Sequence, residues 1–543
     1  MGISGDVDHS LHSRPYGSSP GIMEKSFVGV AVLVGVLYAA YFEFRYNGLW
    51  VENDTSVFNS TTKAMLQAGT VFFPGQYAHG PGYPAWLGVV SLLTGWSPML
   101  VNTLVAPFFG ISFAMLVAYL LYRRFLRTER AVAFACFLLF LVPEVMFTVL
   151  RGNHEKINVS FIMLAFYGIL WFADAAKQRN LLHTGMASLL YYVSVFMNGI
   201  TNDYFGMFLA LAGFLTAVVL TLTRRAKWME GDIRPLANRL WVTASLSGII
   251  MVWVMVFFFP QSSGDTSLLF TLLRKLKNLA ATQQATTNPY AIAGQLWITP
   301  SVNDLFSAFH LALIATSGLS MVYIFFSVVL RRRIRIRVAE VFLIGIYVSL
   351  ALLVVAAIPA DLVGLNAGTN LELRNYTYFA LFAPPVIVMS IGALRARFSP
   401  AKRFFTGRIT LGVLYVVFFS VGLLKGTVEP ALYNVWMGYS ASEREALTIF
   451  ESHTNDTAMW AGTGNRLVYL YNSMYPNSSS GDQVVGYSIG QSPYATDIML
   501  SPLIRGASIA QEIPLPSVHG MDRLVDAGGA QIYKAPTTTP FQY

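Results

Sequence analysis

Charge is what this sequence has least of. Only 12% of its 543 residues are Asp, Glu, Lys or Arg, while 55% are apolar. A soluble domain carries about 25% charged residues, so a soluble globular chain is excluded. Cysteine is scarcer still, with Cys136 alone in an apolar run. No internal disulfide can form, and any segment outside the cell must be stable without one. There is no phosphate-cradling Gly-rich loop ending in Lys-Ser or Lys-Thr, no dinucleotide fingerprint after a strand, and no His-Glu-x-x-His pair. Soluble nucleotides are therefore unsupported as direct substrates. The net charge is +9, but no basic stretch is interleaved with stacking aromatics outside short loops, so nucleic acid is excluded as a partner. Segment 1–26 is polar and lacks an apolar core with a cleavage site, so it reads as a disordered cytoplasmic tail.

Long apolar runs fill the rest, and the mean hydropathy is +0.52. A helix needs about 20 apolar residues to cross a bilayer. Runs of that kind cover 27–45, 99–122, 131–150, 157–174, 182–200, 204–223, 240–260, 305–330, 338–358, 375–394 and 409–426. These predict about eleven spans. The first reads as an uncleaved signal-anchor.

The loops alternate in charge. One set holds Arg123, Arg124, Arg127 and Arg130, then Arg224, Arg225 and Lys227, then the run from Arg331 to Arg337, then Arg395, Arg397, Lys402 and Arg403. The other set holds few cations, among them Lys63, Arg151, Lys156 and Arg374. The positive-inside rule makes the first set cytoplasmic. The expected protein is thus a multi-pass protein of the cell membrane, with its N-terminus inside and its C-terminal segment outside. A transmembrane unit, 27–427, carries outer loops 46–97 and 261–304. Segment 428–543 reads as a small extracytoplasmic α/β domain, with a helix over 442–453, a strand over 458–461, a second helix over 466–475, and strands near 483–487 and 530–534.

The long loops fall on one face, which is where sites are expected. Glu52 and Asp54 follow the first span. Asp54 reads either as a general base or cation ligand, or as an interfacial charge that caps the next helix. His79 lies in His79-Gly80-Pro81-Gly82-Tyr83-Pro84, and helix resumes over 85–93. It reads either as part of the fold or as a ligand on the acceptor side. Asn153, His154 and Glu155 crowd one short turn. That turn reads either as ordinary hydrophilic structure or as a second cluster of oxygen ligands. Arg374 is a cation on the face where cations are rare. Its guanidinium fork suits a phosphate, and a salt bridge to Glu372 or Asp361 is the other reading. Arg274, Lys275 and Lys277 open the 261–304 loop, which either gates a site or connects spans. The sequons at Asn59 and Asn455 read as accidental.

These elements together resemble the GT-C superfamily of polyprenyl-phosphate-dependent glycosyltransferases, and most closely the catalytic subunits of archaeal and bacterial oligosaccharyltransferases. The family has an acidic residue after its first span, where Asp54 stands. It has an acidic motif in the second outer loop, partly matched by Asn153-His154-Glu155, and a donor-phosphate arginine before a late span, matched by Arg374. The acceptor motif is degenerate. Where the family reads Trp-Trp-Asp-Tyr-Gly, this chain reads Met459-Trp460-Ala461-Gly462-Thr463, and Gln283 and Gln284 stand near the place of the family's loop glutamate.

The resemblance implies transfer of a sugar or glycan, with inversion, from a polyprenyl-phosphate carrier to a protein, glycan or lipid acceptor at the outer membrane face. It implies Asp54 as the catalytic residue and Arg374 on the donor phosphate. Asn153, His154 and Glu155 fall to the donor or a metal, and Glu52, His79 and Trp460 to the acceptor side. A divalent cation, Mg or Mn, would be held by Asp54 and Glu155. A polytopic transporter or lipid-linked sugar flippase is the alternative.

Overall fold

Apolar runs bounded by arginine and by capping residues set the helices of this chain. In a computed structural model the described residues are 29–30, 32–37, 40–41, 44, 53–72, 77, 80–150, 153–224, 229–258, 300–330, 336–362, 371–395, 439–454, 457–462, 466–475, 482–485, 495–511 and 515–534. The 1–26 tail, Glu52, His79, the 261–299 part of the late loop and the 409–426 span lie outside them, as does part of the 27–45 span.

The first loop holds two helices, α1 (Asn53–Ala68) and α2 (Gly82–Thr94). A long helix, α3 (Pro98–Phe125), follows. Ser97 starts it by accepting from Leu100 N at 3.2 Å. The run 131–150 is a bent pair, α4 (Glu129–Leu139) and α5 (Pro143–Leu150). The two halves meet at 78°. Pro143 is the cause, because its ring and missing N–H prevent one helix from running through.

Next come α6 (Glu155–Lys177), α7 (Leu181–Thr201) and α8 (Asp203–Thr223). The Asn180 side chain accepts from His183 N to start α7, and Asn202 accepts from Tyr204 N to start α8. Strand β1 (Met229–Glu230) and α9 (Arg234–Phe258) follow, then α10 (Pro300–Phe325). Strand β2 (Ile336–Arg337) pairs with β1 in parallel. It leads into α11 (Val338–Leu362), α12 (Leu371–Ala380) and α13 (Ala383–Arg395).

Among the described residues, seven helices are long and apolar enough to cross a membrane, or eight if the bent pair is one span. The expected count of about eleven is not reached there. Helix α7 covers the expected 182–200 run, but Asn198, Thr201 and its Ser, Tyr and His residues dilute its apolar character, and it is not among the seven. Leu222, Leu311, Leu319 and Val355 stand exposed on the bundle, as a lipid-facing surface requires.

The helices pack through small residues. A Cβ at Gly168 would come within 3.2 Å of Tyr191 N, so α6 and α7 approach backbone to backbone. Asn158 donates to Asn198 Oδ1 at 3.0 Å and to Thr201 Oγ1 at 2.9 Å. These bonds fix the register of the two helices just beneath the turn that starts α6.

The C-terminal segment has its own apolar core, around Phe450, Met459, Leu470 and Ile498. It comprises α14 (Ala441–His453), β3 (Ala458–Trp460), α15 (Arg466–Met474), β4 (Gln483–Val485), β5 (Asp497–Leu500), α16 (Pro502–Gln511), β6 (Asp522–Asp526) and β7 (Gln531–Lys534). The sheet order is β4-β3-β5-β7-β6, parallel from β4 to β5 and antiparallel beyond. A capping box of Ser440 and Glu443 starts α14.

Candidate functional site

The starts of α6, α8 and α12 meet at the end of the bundle away from the arginine-rich loops. Asn153 opens α6 by accepting from Glu155 N at 3.1 Å. Asn153, His154 and Lys156 are buried, and Glu155 is half-buried. Burying so many polar groups beside a bilayer is costly, and such groups usually serve a function.

His154 is held from four sides. Its Nε2 lies 2.9 Å from Asn202 Nδ2. The amide donates to this nitrogen when it carries no proton. The ring also packs on Phe58 at 5.4 Å, Tyr77 at 5.9 Å and Phe205 at 5.9 Å. This histidine is therefore a keystone between the first loop and α8.

Arg374 lies in the first turn of α12, with its guanidinium carbon 5.9 Å from the Tyr204 ring. The next residue is fixed more firmly. The Tyr204 hydroxyl donates to Asn375 Oδ1, and Asn375 Nδ2 donates to Leu353 O at 2.9 Å. Tyr378, one turn on, is 1% exposed and stacks edge-on to Phe205 at 4.9 Å. Both Glu155 and Arg374 act electrostatically on Tyr378.

The first turn of α1 belongs to the same region. Asn102 donates to Thr55 O at 3.5 Å and accepts from the Tyr83 hydroxyl at 2.7 Å. Phe58, one turn further, carries the contact to His154. Asp54 sits next to Thr55 in this turn. Its side chain is outside the described residues.

Among the polar atoms here without a hydrogen-bond partner among the described residues are Asn153 Nδ2 and Thr55 Oγ1, on side chains of 0% exposure. An unmade buried hydrogen bond costs about 1–3 kcal/mol, so a bound group that satisfied them would be stabilised.

The structure brings Asn153, His154, Glu155 and Arg374 together, with the backbone of Asp54 alongside. Trp460 is placed elsewhere, 4% exposed within the core of the C-terminal segment. Asn59, the sequon asparagine, is buried and donates to Met99 Sδ at 2.8 Å, so no glycan can reach it in the fold. Among the described residues no three His, Cys, Asp or Glu side chains are placed to hold a metal ion.

Sequence reasoning missed two groups. Lys156 is 1% exposed. Its stem lies against Gly110, where a Cβ would come within 3.2 Å of Lys156 Cδ and 2.6 Å of Val149 O. Glu144, in the first turn of α5, meets the His310 ring of α10. The His310 ring stacks 4.4 Å from Tyr376, two residues past Arg374. The only sequence signal was Pro143-Glu144 inside an apolar run.

No protein-family model matches the chain, and no curated protein matches it. Solved structures do. The chain is similar to ArnT from Cupriavidus metallidurans bound to undecaprenyl phosphate, with TM-score 0.41, 15% identity, and coverage of 95% of this chain and 98% of that one. It is similar to the same protein in the apo state, with TM-score 0.40, 15% identity, and coverage of 94% and 97%. It is also similar to the arabinofuranosyltransferase AftD from Mycobacteria, with TM-score 0.42 and 12% identity, covering 95% of this chain and 40% of that one.

Proposed function

We propose that this protein is a GT-C type glycosyltransferase of the cell membrane, moving a sugar or glycan from a polyprenyl-phosphate carrier to an acceptor at the outer face. The observation that carries this reading is the meeting of the starts of α6, α8 and α12, through His154 and Asn202 at 2.9 Å and through Tyr204 and Asn375, with Arg374 beside the Tyr204 ring and the buried Asn153 Nδ2 without a partner among the described residues. Undecaprenyl phosphate, held in one ArnT structure, is a carrier of the kind proposed.

The carrier's tail lies among lipid-facing helices, which is why the site sits at the bundle's end. The Arg374 fork holds the carrier phosphate. The acceptor nucleophile attacks the anomeric carbon as the bond from that carbon to the phosphate oxygen breaks. The phosphate keeps the electron pair, and Arg374 stabilises its new charge. Asp54 takes the acceptor's proton. Asn153 and Glu155 hold sugar hydroxyls, since one offers an amide donor and the other an acceptor. A Mg or Mn ion would rest on Asp54 and Glu155 alone, and loss of transfer on chelation, restored by the metal, tests for it.

The test uses purified protein in nanodiscs with a labelled polyprenyl-phosphate sugar. Arg374→Ala should lower transfer at least about a hundredfold, as expected for a group that stabilises transition-state charge. Wild-type rates from both Arg374→Ala and Asp54→Ala would refute the site. Lipid crossing the bilayer with its sugar intact would favour the flippase alternative.

A further inference from the structure

Helix α1 has two ends with different partners. At its start, Phe58 packs on His154 at 5.4 Å, and Thr55 O accepts from Asn102. Further along, the Lys63 ammonium donates to Ser473 O, in the last turn of α15. That last turn has no basic residue of its own. The final carbonyls of a helix are unpaired and carry partial negative charge. Lys63 therefore supplies, from another element, the cation that α15 lacks. The contact is partly enclosed, for Ser473 is 2% exposed, Lys63 is half-buried, and burial lowers the Lys63 pKa below the usual lysine range. Met99, which accepts from Asn59 of α1 at 2.8 Å, also packs on the core of the C-terminal segment.

We propose that Lys63 is a positioning residue: by capping α15 it docks the C-terminal segment on α1 and so holds the acidic first turn of α1 at the site. This rests on the sugar-transfer reading above. Phe58 and Lys63 are five residues apart, or about 7.5 Å along one helix. A helix that short moves as a rod, so a shift at Lys63 is felt at Asp54. Reacting groups tolerate little displacement, with about 1 Å enough to slow a reaction markedly.

Because Lys63 acts on the acidic turn and not on Arg374, its loss should change turnover and not donor binding. The experiment compares full-length wild type, Lys63→Met and Lys63→Arg in nanodiscs, by hydrogen exchange and by transfer kinetics. Lys63→Met should speed exchange in both 53–68 and 466–475 about tenfold, the scale of one hydrogen bond to a charged group. It should lower kcat by a similar factor, with the donor KM unchanged. Lys63→Arg, which keeps the cation, should restore both. Met99→Ala trims the same surface without touching charge, and should repeat the effect more weakly. Faster exchange in 466–475 alone, with α1 and kcat as in wild type, overturns the inference and leaves Lys63 a local cap. A wild type that transfers no sugar overturns the sugar-transfer reading and with it the effect on turnover, while exchange still decides whether α1 and α15 are coupled.

Discussion

The two ends of the helix bundle treat their polar groups in opposite ways. At the arginine-rich end several described groups are matched. Arg127 donates to Glu340 at 2.9 and 3.2 Å, Arg337 Nε donates to the same carboxylate at 3.1 Å, and Arg337 Nη2 reaches Phe125 O at 2.8 Å. Arg124 pairs with Asp174 at 2.8 Å. At the other end, Asn153 Nδ2 and Thr55 Oγ1 are buried without a partner among the described residues. Arg374 faces an aromatic ring, 5.9 Å away. Matched charges lock a fold together, whereas unmatched buried donors cost stability and are kept where something binds.

Substitutions can break or sharpen this contrast. The largest effect belongs to Arg374→Ala, with transfer down at least about a hundredfold and little change in melting temperature. Asn153→Ser comes next. Serine keeps an oxygen to cap α6 but removes the amide donor. Transfer should fall about tenfold, the cost of one hydrogen bond made to the substrate, while thermal unfolding stays near wild type. A matched loss of stability would put Asn153 with the structural groups. Glu340→Gln should do the reverse. It strips the charge from a carboxylate bonded to two arginines and should cost about 1–3 kcal/mol in stability, read by thermal unfolding. Sugar transfer well below the melting point should be unaffected.

Asp497 gives the smallest effect. Burial at the start of β5 raises its pKa above the ordinary carboxylate range, opposed by Lys534 and by hydrogen bonds from Thr457 and Thr496. The native state then holds this proton more tightly than the unfolded chain does. Its contribution is complete below the unfolded value and is lost as pH rises through the native one. Asp497→Asn should therefore flatten the decline in β5 protection as pH rises from acid to neutral, as measured by hydrogen exchange.

The elements of the C-terminal segment were largely legible. The apolar stripe of Ala446, Leu447, Ile449 and Phe450 predicted α14, and the observed helix Ala441–His453 buries all of them but Ile449, which is half-buried. Strand β5, helix α16 and strand β6 were missed, β5 because Ile498-Met499-Leu500 is too short a run to show periodicity. The strand character of β5 comes from pairing on both edges, with β3 and with β7. In the bundle, Arg374 was legible because it breaks the charge asymmetry of the loops. The Glu144 and His310 pair was not, since 166 positions separate the two and only the Pro143 bend brings Glu144 to α10.

By itself the sequence determined the class of molecule and the end of the bundle to search. Hydropathy and loop charge are local properties, and a bilayer reads them segment by segment. Only the tertiary structure decided which polar residues meet. Helix starts far apart in the chain converge through packing that no single segment encodes, as His154 and Asn202 do at 2.9 Å, and Tyr204 and Asn375 by a hydrogen bond. The same packing buried Trp460 in a core, left Asn153 Nδ2 unmatched, and set Lys63 of the first loop on the last turn of α15.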